Sequence, residues 1–138
     1  MPFHSPTDPT FWDLEPDFLK PVQAAARAFD MDIVHFILGP HDDERSPVAA
    51  VLRIPPNGVL VRHAHPVARF EVVVQGALDV GDRVLVPGDI MVSPANEFYG
   101  PHTAGDEGCT TVEVFASLAG VGNIIYDTED GPQPQRFR

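Results

Sequence analysis

Short runs of β-branched residues, cut apart by fifteen prolines and eleven glycines, set what this chain can fold into. Such punctuation favours many brief strands joined by turns, because Pro fixes φ and denies the ladder a donor while Gly accepts turn conformations. MDIVHFIL (31–38), VAAVLRI (48–54), VLVRHAH (59–65), FEVVVQ (70–75), RVLV (83–86) and CTTVEVFA (109–116) read as strands rich in Val, Ile, Phe and Thr. Gly81-Asp82 suits the tip of a hairpin within ALDVGDRVLV, and PPNG (55–58) and PGD (87–89) suit turns. The class expected is all-β. The N-terminal third departs from it: EPDFLKPVQAAARAF (15–29) carries good helix formers and predicts a short helix from Pro21 to Ala28. The tail GPQPQRFR (131–138) has no periodicity and reads as a docking arm or a frayed end.

At 138 residues the chain suits one domain with one core. The division expected is an N-terminal arm with its short helix over 1–30, a barrel over 31–128 and a tail over 129–138. No apolar run approaches the roughly 18 to 20 residues of a membrane span, and MPFHSPTDPT lacks the form of a secretory leader. The expectation is a cytoplasmic protein with no membrane partner. A net charge of −11 repels phosphate backbones, so no nucleic-acid partner is expected either. With Cys109 as its single cysteine, the chain has no internal disulfide and no Cys-rich zinc site. Any metal must sit on histidines and carboxylates.

The sharpest local feature is RHAHP (62–66). On a strand, an H-x-H spacing sets His63 and His65 on one face, where two neutral imidazoles can bite a single ion. Imidazole accepts Zn, Fe, Cu and Ni alike, so the fragment marks a site without naming its metal.

From Gly58 to His102 the sequence resembles the two motifs of the cupin superfamily. The first runs Gly, H-x-H, a Glu after three or four residues, then Gly after six more; here Gly58, His63-x-His65 and the Gly76 that ends RFEVVVQG stand in those places. The second has a Pro-Gly turn, a strand, a Pro and a late His; here these are Pro87-Gly88-Asp89, IMVS, Pro94 and a late residue still to be chosen. The resemblance implies a single-domain double-stranded β-helix, or jelly-roll barrel, often dimeric, so a homodimer is expected.

Two departures from the family pattern matter. Counting back six residues from Gly76 lands on Arg69, where the family has its glutamate. Glu71, on the same strand face, replaces the ligand, pairs with Arg69, or lies with it near the barrel mouth where both side chains reach water; the pair is the favoured reading. The late histidine would fall five residues after Pro94, where Tyr99 stands; His102 lies three further on, before an E-G-C strand start like that of anti-sigma-factor cupin domains and some related dioxygenases. The resemblance therefore implies His63, His65 and His102 as metal ligands, with Tyr99 as the rival for third place. His35 reads as a hydrogen-bonded core histidine, and His4 and His41 as solvated. Cys109 reads as a small buried hydrophobe. Glu113 is either an ordinary exposed strand acid, the favoured reading, or, if its face points inward, a partner to a ligating histidine.

Three-histidine cupins include dioxygenases of acetylacetone and dihydroxyacetophenone. By that likeness the chain is expected to be an Fe(II) dioxygenase of small keto or phenolic substrates, Zn, Ni or Mn being the other ions considered. Arg69, Tyr99 and Glu71 would serve the reaction, with Arg69 and Tyr99 orienting substrate oxygens while Phe70 and Phe98 exclude water. The alternatives are a non-catalytic module that binds a metal or small molecule, and a metal-free isomerase using His63 as base with Tyr99.

Overall fold

The computed structural model describes residues 1–137. Its strands are β1 (Asp32–Ile37), β2 (Val48–Ile54), β3 (Val59–Leu60), β4 (His63–Ala64), β5 (Arg69–Asp79), β6 (Val84–Leu85), β7 (Ile90–Ser93), β8 (His102–Phe115), β9 (Asn123–Thr128) and β10 (Gly131–Arg136). One helix, α1 (Lys20–Arg27), precedes them, starting one residue before the expected span and carrying Pro21 in its first turn. No helix among the described residues is long and apolar enough to cross a membrane.

The strands form two antiparallel sheets. The larger has the order β1-β2-β8-β5-β6, with β3 on β8 and β7 on β5; the smaller has the order β10-β9-β4. Alternation along β5 buries Arg69, Glu71 and Val73 and turns Phe70 and Val74 outward. Phe70, expected to keep water from the site, is instead 39% exposed on the outer face. The hairpin at Gly81 forms as expected, with Gly81 at φ +107 and Leu78 opposite Leu85.

Three stretches differ from the sequence reading. VLVRHAH is not one strand but two, because β3 pairs with β8 while β4 crosses to β9 in the other sheet. Residues 102–108, read as loop, extend β8 to fourteen residues. GPQPQR in the tail is a strand paired along its length with β9, Gly131 opposite Thr128 and Arg136 opposite Asn123. Its two prolines are tolerated because β10 is an edge strand. Arg138, the last residue of that tail, lies outside the described residues.

The N-terminal arm closes the other free edge, β1. Gln23 Nε2 donates to the Ile33 carbonyl at 2.9 Å, and the His35 amide donates to Glu15 Oε1 at 2.9 Å. The His35 ring adds Nδ1 to Glu15 Oε2 at 2.9 Å, which makes it the hydrogen-bonded core histidine anticipated above. Phe11 and Trp12 pack on Val34 from outside. An edge strand with unpaired amides invites further pairing, and this arm blocks it. Glu15→Ala leaves a buried amide and a ring nitrogen without partners, so a loss of about 3 kcal/mol is expected in urea unfolding. A loss under about 1 kcal/mol would mean the arm does not guard the edge.

Candidate functional site

The large sheet carries rows of inward side chains in register. One row runs His35, Ala50, Glu113, Glu71 and Met91 across five strands; the next places Val48, Phe115, Arg69 and Ser93 side by side. Glu113 is thus directly opposite Glu71 and is 4% exposed, so it is not the exposed acid favoured from sequence. Two buried carboxylates face to face need a cation, and Arg69 supplies it. Its Nη1 lies 2.6 Å from Glu113 Oε1 and 2.9 Å from Glu71 Oε1, while Thr111 Oγ1 donates to Glu71 Oε2 at 2.8 Å. Burial and the neighbouring Glu71 push the Glu113 carboxyl up to about 8. Burial also presses upward on Glu71, but Arg69 brings it below the usual carboxylate range. Between them the two acids share one proton, and the cluster is close to neutral.

His63 and His65 come together as the H-x-H spacing predicts, with ring centres 5.2 Å apart. Each is fixed from behind. His63 Nδ1 lies 2.7 Å from the Val61 carbonyl, and His65 Nδ1 lies 3.3 Å from that of Gly120. Since a carbonyl only accepts, Nδ1 carries the proton and Nε2 is left as the basic nitrogen. Burial lowers His63 to about 4 and His65 to about 3, so both rings are neutral at pH 7.

Tyr99 and His63 exchange both backbone hydrogen bonds, at 3.0 and 2.9 Å, in an isolated antiparallel bridge. That bridge sets the Tyr99 hydroxyl 2.8 Å from His63 Nε2. Gly100, at φ +98, then turns the chain away, and the Arg69 guanidinium lies 4.1 Å from the centre of the Tyr99 ring. His102 comes down on β8 opposite Leu60, with its ring centre 5.7 Å from that of Tyr99. Its buried Nδ1 has no hydrogen-bond partner.

These positions decide how the donors fit a metal. Two neutral imidazoles with inward Nε2 atoms, each backed by a carbonyl, suit a divalent ion, since an outer-shell acceptor on Nδ1 is the usual support of a ligating histidine. Among the described residues, no group of three or more His, Cys, Asp or Glu side chains is placed to hold an ion. Tyr99 stands in hydrogen-bond contact with His63, and His102 is near enough to act on the His63 charge.

A cavity of about 120 Å³ opens beside the pair. His35, His63, His65 and Glu113 are among its polar lining residues, and Ala26 of α1, Phe29, Ile124 and Tyr126 of β9, and Phe137 add mainly apolar walls. Arg69, Glu71 and Tyr99, expected to serve the reaction, are not among its lining residues. Phe98 is half-buried beneath Arg62, 5.5 Å from its guanidinium, and does not line it either. The walls from β9 and Phe137 were missed from sequence; the alternation of Ile124 and Tyr126 in NIIYDT was the available signal. His4 and His41 are exposed, and Cys109 is buried.

No protein-family model and no curated protein matches the sequence. Solved structures do match in shape. An RmlC-like cupin protein of Ralstonia eutropha JMP134 is 18% identical over 76% of this chain and 67% of its own, with a TM-score of 0.55. A recombinant oxalate oxidase in complex with glycolate is 18% identical over 71% and 55%, TM-score 0.57, so the match takes in little more than half of that enzyme. A candidate acetylacetone dioxygenase of Methylibium petroleiphilum PM1 is 17% identical over 75% and 70%, TM-score 0.52. Likeness at such identities is likeness of fold, and with the strand order it shows that this chain has a cupin-type fold.

Proposed function

We propose that the protein is a metal-dependent cupin enzyme acting on small, largely apolar keto or phenolic compounds, with Fe(II)-dependent oxygenation as its chemistry. The observation that carries this reading is the pair of neutral, carbonyl-backed imidazoles lining a mainly apolar cavity. His63 and His65 would hold the ion, which when bound supplies Lewis acidity and a place for oxygen to meet a chelated substrate. The residues of the chain do the rest. Ala26, Phe29, Ile124 and Phe137 take the carbon skeleton out of water, and the Val61 and Gly120 carbonyls keep both imidazoles in one tautomer and one orientation.

Protein purified without a chelating tag is expected to contain iron or to accept it. After Fe(II) loading it is expected to consume oxygen with some member of a β-diketone and hydroxyacetophenone panel. Turnover unaffected by a chelator that strips the metal would overturn the reading. Metal uptake without turnover across the panel would favour a binding module.

A second reading draws on the hydrogen bond from the Tyr99 hydroxyl to His63 Nε2. A phenol already donating to an imidazole is an acid–base pair that needs no ion, and it favours a metal-free isomerase. Isomerisation that persists in chelator with no measurable bound metal separates it from the first.

A further inference from the structure

We infer that the oxygen of Tyr99 is the third protein donor to the metal, in the place that His102 was expected to take. The inference rests on the metal reading proposed above and concerns how this chain completes its site.

The geometry is specific to Tyr99. Two donors held about 2.0–2.1 Å from one ion at right angles are themselves about 2.9 Å apart. Tyr99 Oη and His63 Nε2 are 2.8 Å apart, and the backbone bridge between the two residues fixes that separation. His102 has no comparable approach. Its backbone is committed to Leu60 on β3, its ring centre lies 5.7 Å from that of Tyr99, and it does not line the cavity.

Burial holds the Tyr99 hydroxyl well above the usual phenol range, and the guanidinium of Arg69, 4.1 Å from the ring centre, only partly opposes it, so a bound ion would itself have to displace the proton. Arg69 does not bring an uncompensated charge to the ion, because Glu113 and Glu71 hold it at 2.6 and 2.9 Å. On ligation the Tyr99 O–H bond breaks, its electron pair goes to the metal, and the proton now donated to His63 Nε2 leaves to solvent.

The test loads untagged full-length protein with ferric iron and reads two quantities, iron per chain by elemental analysis and visible absorption with resonance Raman excited in the band. Wild type is expected to bind one iron per chain and to show a phenolate-to-iron charge-transfer band with tyrosinate ring modes. The chain has two tyrosines, so Tyr126→Phe must keep the band. Tyr99→Phe, which retains the ring beneath Arg69, is expected to abolish the band and weaken iron binding by about tenfold or more. His102→Ala is expected to keep both. Iron bound without the band, or a band that survives Tyr99→Phe, overturns the assignment of Tyr99 and leaves the metal reading standing. Wild type that takes up no iron overturns both. Should Tyr99→Phe lose its circular dichroism, the Raman spectrum of wild type beside that of Tyr126→Phe still decides.

Discussion

Acidified from pH 6.5 to 4.5 with metal removed, the protein is expected to lose about 2 kcal/mol of stability or more, a sizeable share of the 5–15 kcal/mol typical of a domain. The cause is three histidines buried as neutral rings. Burial holds His63 at about 4 and His65 at about 3, and it lowers His102 as well. In the unfolded chain each takes a proton near 6.5, so each contributes stability that is present above that pH and is lost as the pH falls toward its folded value. The slope is about 1.4 kcal/mol per pH unit for each ring. Glu113 works the other way. Its carboxyl is raised to about 8, so its contribution is complete below the ordinary carboxylate range and fades as the pH rises through 8. Between 4.5 and 6.5 His63 and His65, with His102 acting in the same direction, outweigh one acid; above 6.5 the acid acts alone and stability declines again. Maximum stability is therefore expected near pH 6.5. Urea unfolding at half-unit steps checks it, and a flat profile from 7 to 5 would mean that these rings are not held neutral. His65→Gln should remove about one ring's share of the acid slope.

Much of this arrangement can be read from residues alone, and the reasons it can are physical. β2 appears over Val48–Ile54, as expected, because β-branched and apolar residues are bounded there by Pro47 and by Pro55-Pro56. His63 and His65 share a face because side chains alternate along extended backbone. Arg69 pairs with Glu71 for the same reason. What escapes a single strand's pattern is whatever depends on register between distant strands. Glu113 is buried because β8 sets it opposite Glu71, and nothing in TTVEVFA discloses that partner. β10 escapes because GPQPQR has neither apolar period nor β-branched residues; only its pairing with β9 makes it a strand. That Tyr99 stands beside His63 likewise depends on a backbone bridge that no interval along the chain encodes.

Replacing Arg69 by Met is expected to cost about 3 to 5 kcal/mol at pH 8, because it strands two buried carboxylates directly opposite each other. Met fills a similar volume, so the loss measures charge more than packing. Arg69→Lys should recover little of it: a single ammonium is a point charge on a shorter reach, whereas one guanidinium nitrogen here serves both acids at 2.6 and 2.9 Å while its plane covers Tyr99. Adding Glu113→Gln to Arg69→Met removes the surplus charge and should restore a substantial part of the stability, giving a coupling energy above about 1 kcal/mol in a double-mutant cycle. The loss should also shrink toward pH 5, where both acids of the Met variant can hold protons. If Arg69→Met unfolds within about 1 kcal/mol of wild type at pH 8, the cluster is not the charge-balanced unit described. The same balance explains how a cation can stand at the position where the cupin motif has its glutamate: the two carboxylates beside Arg69 compensate its charge and leave its face to Tyr99.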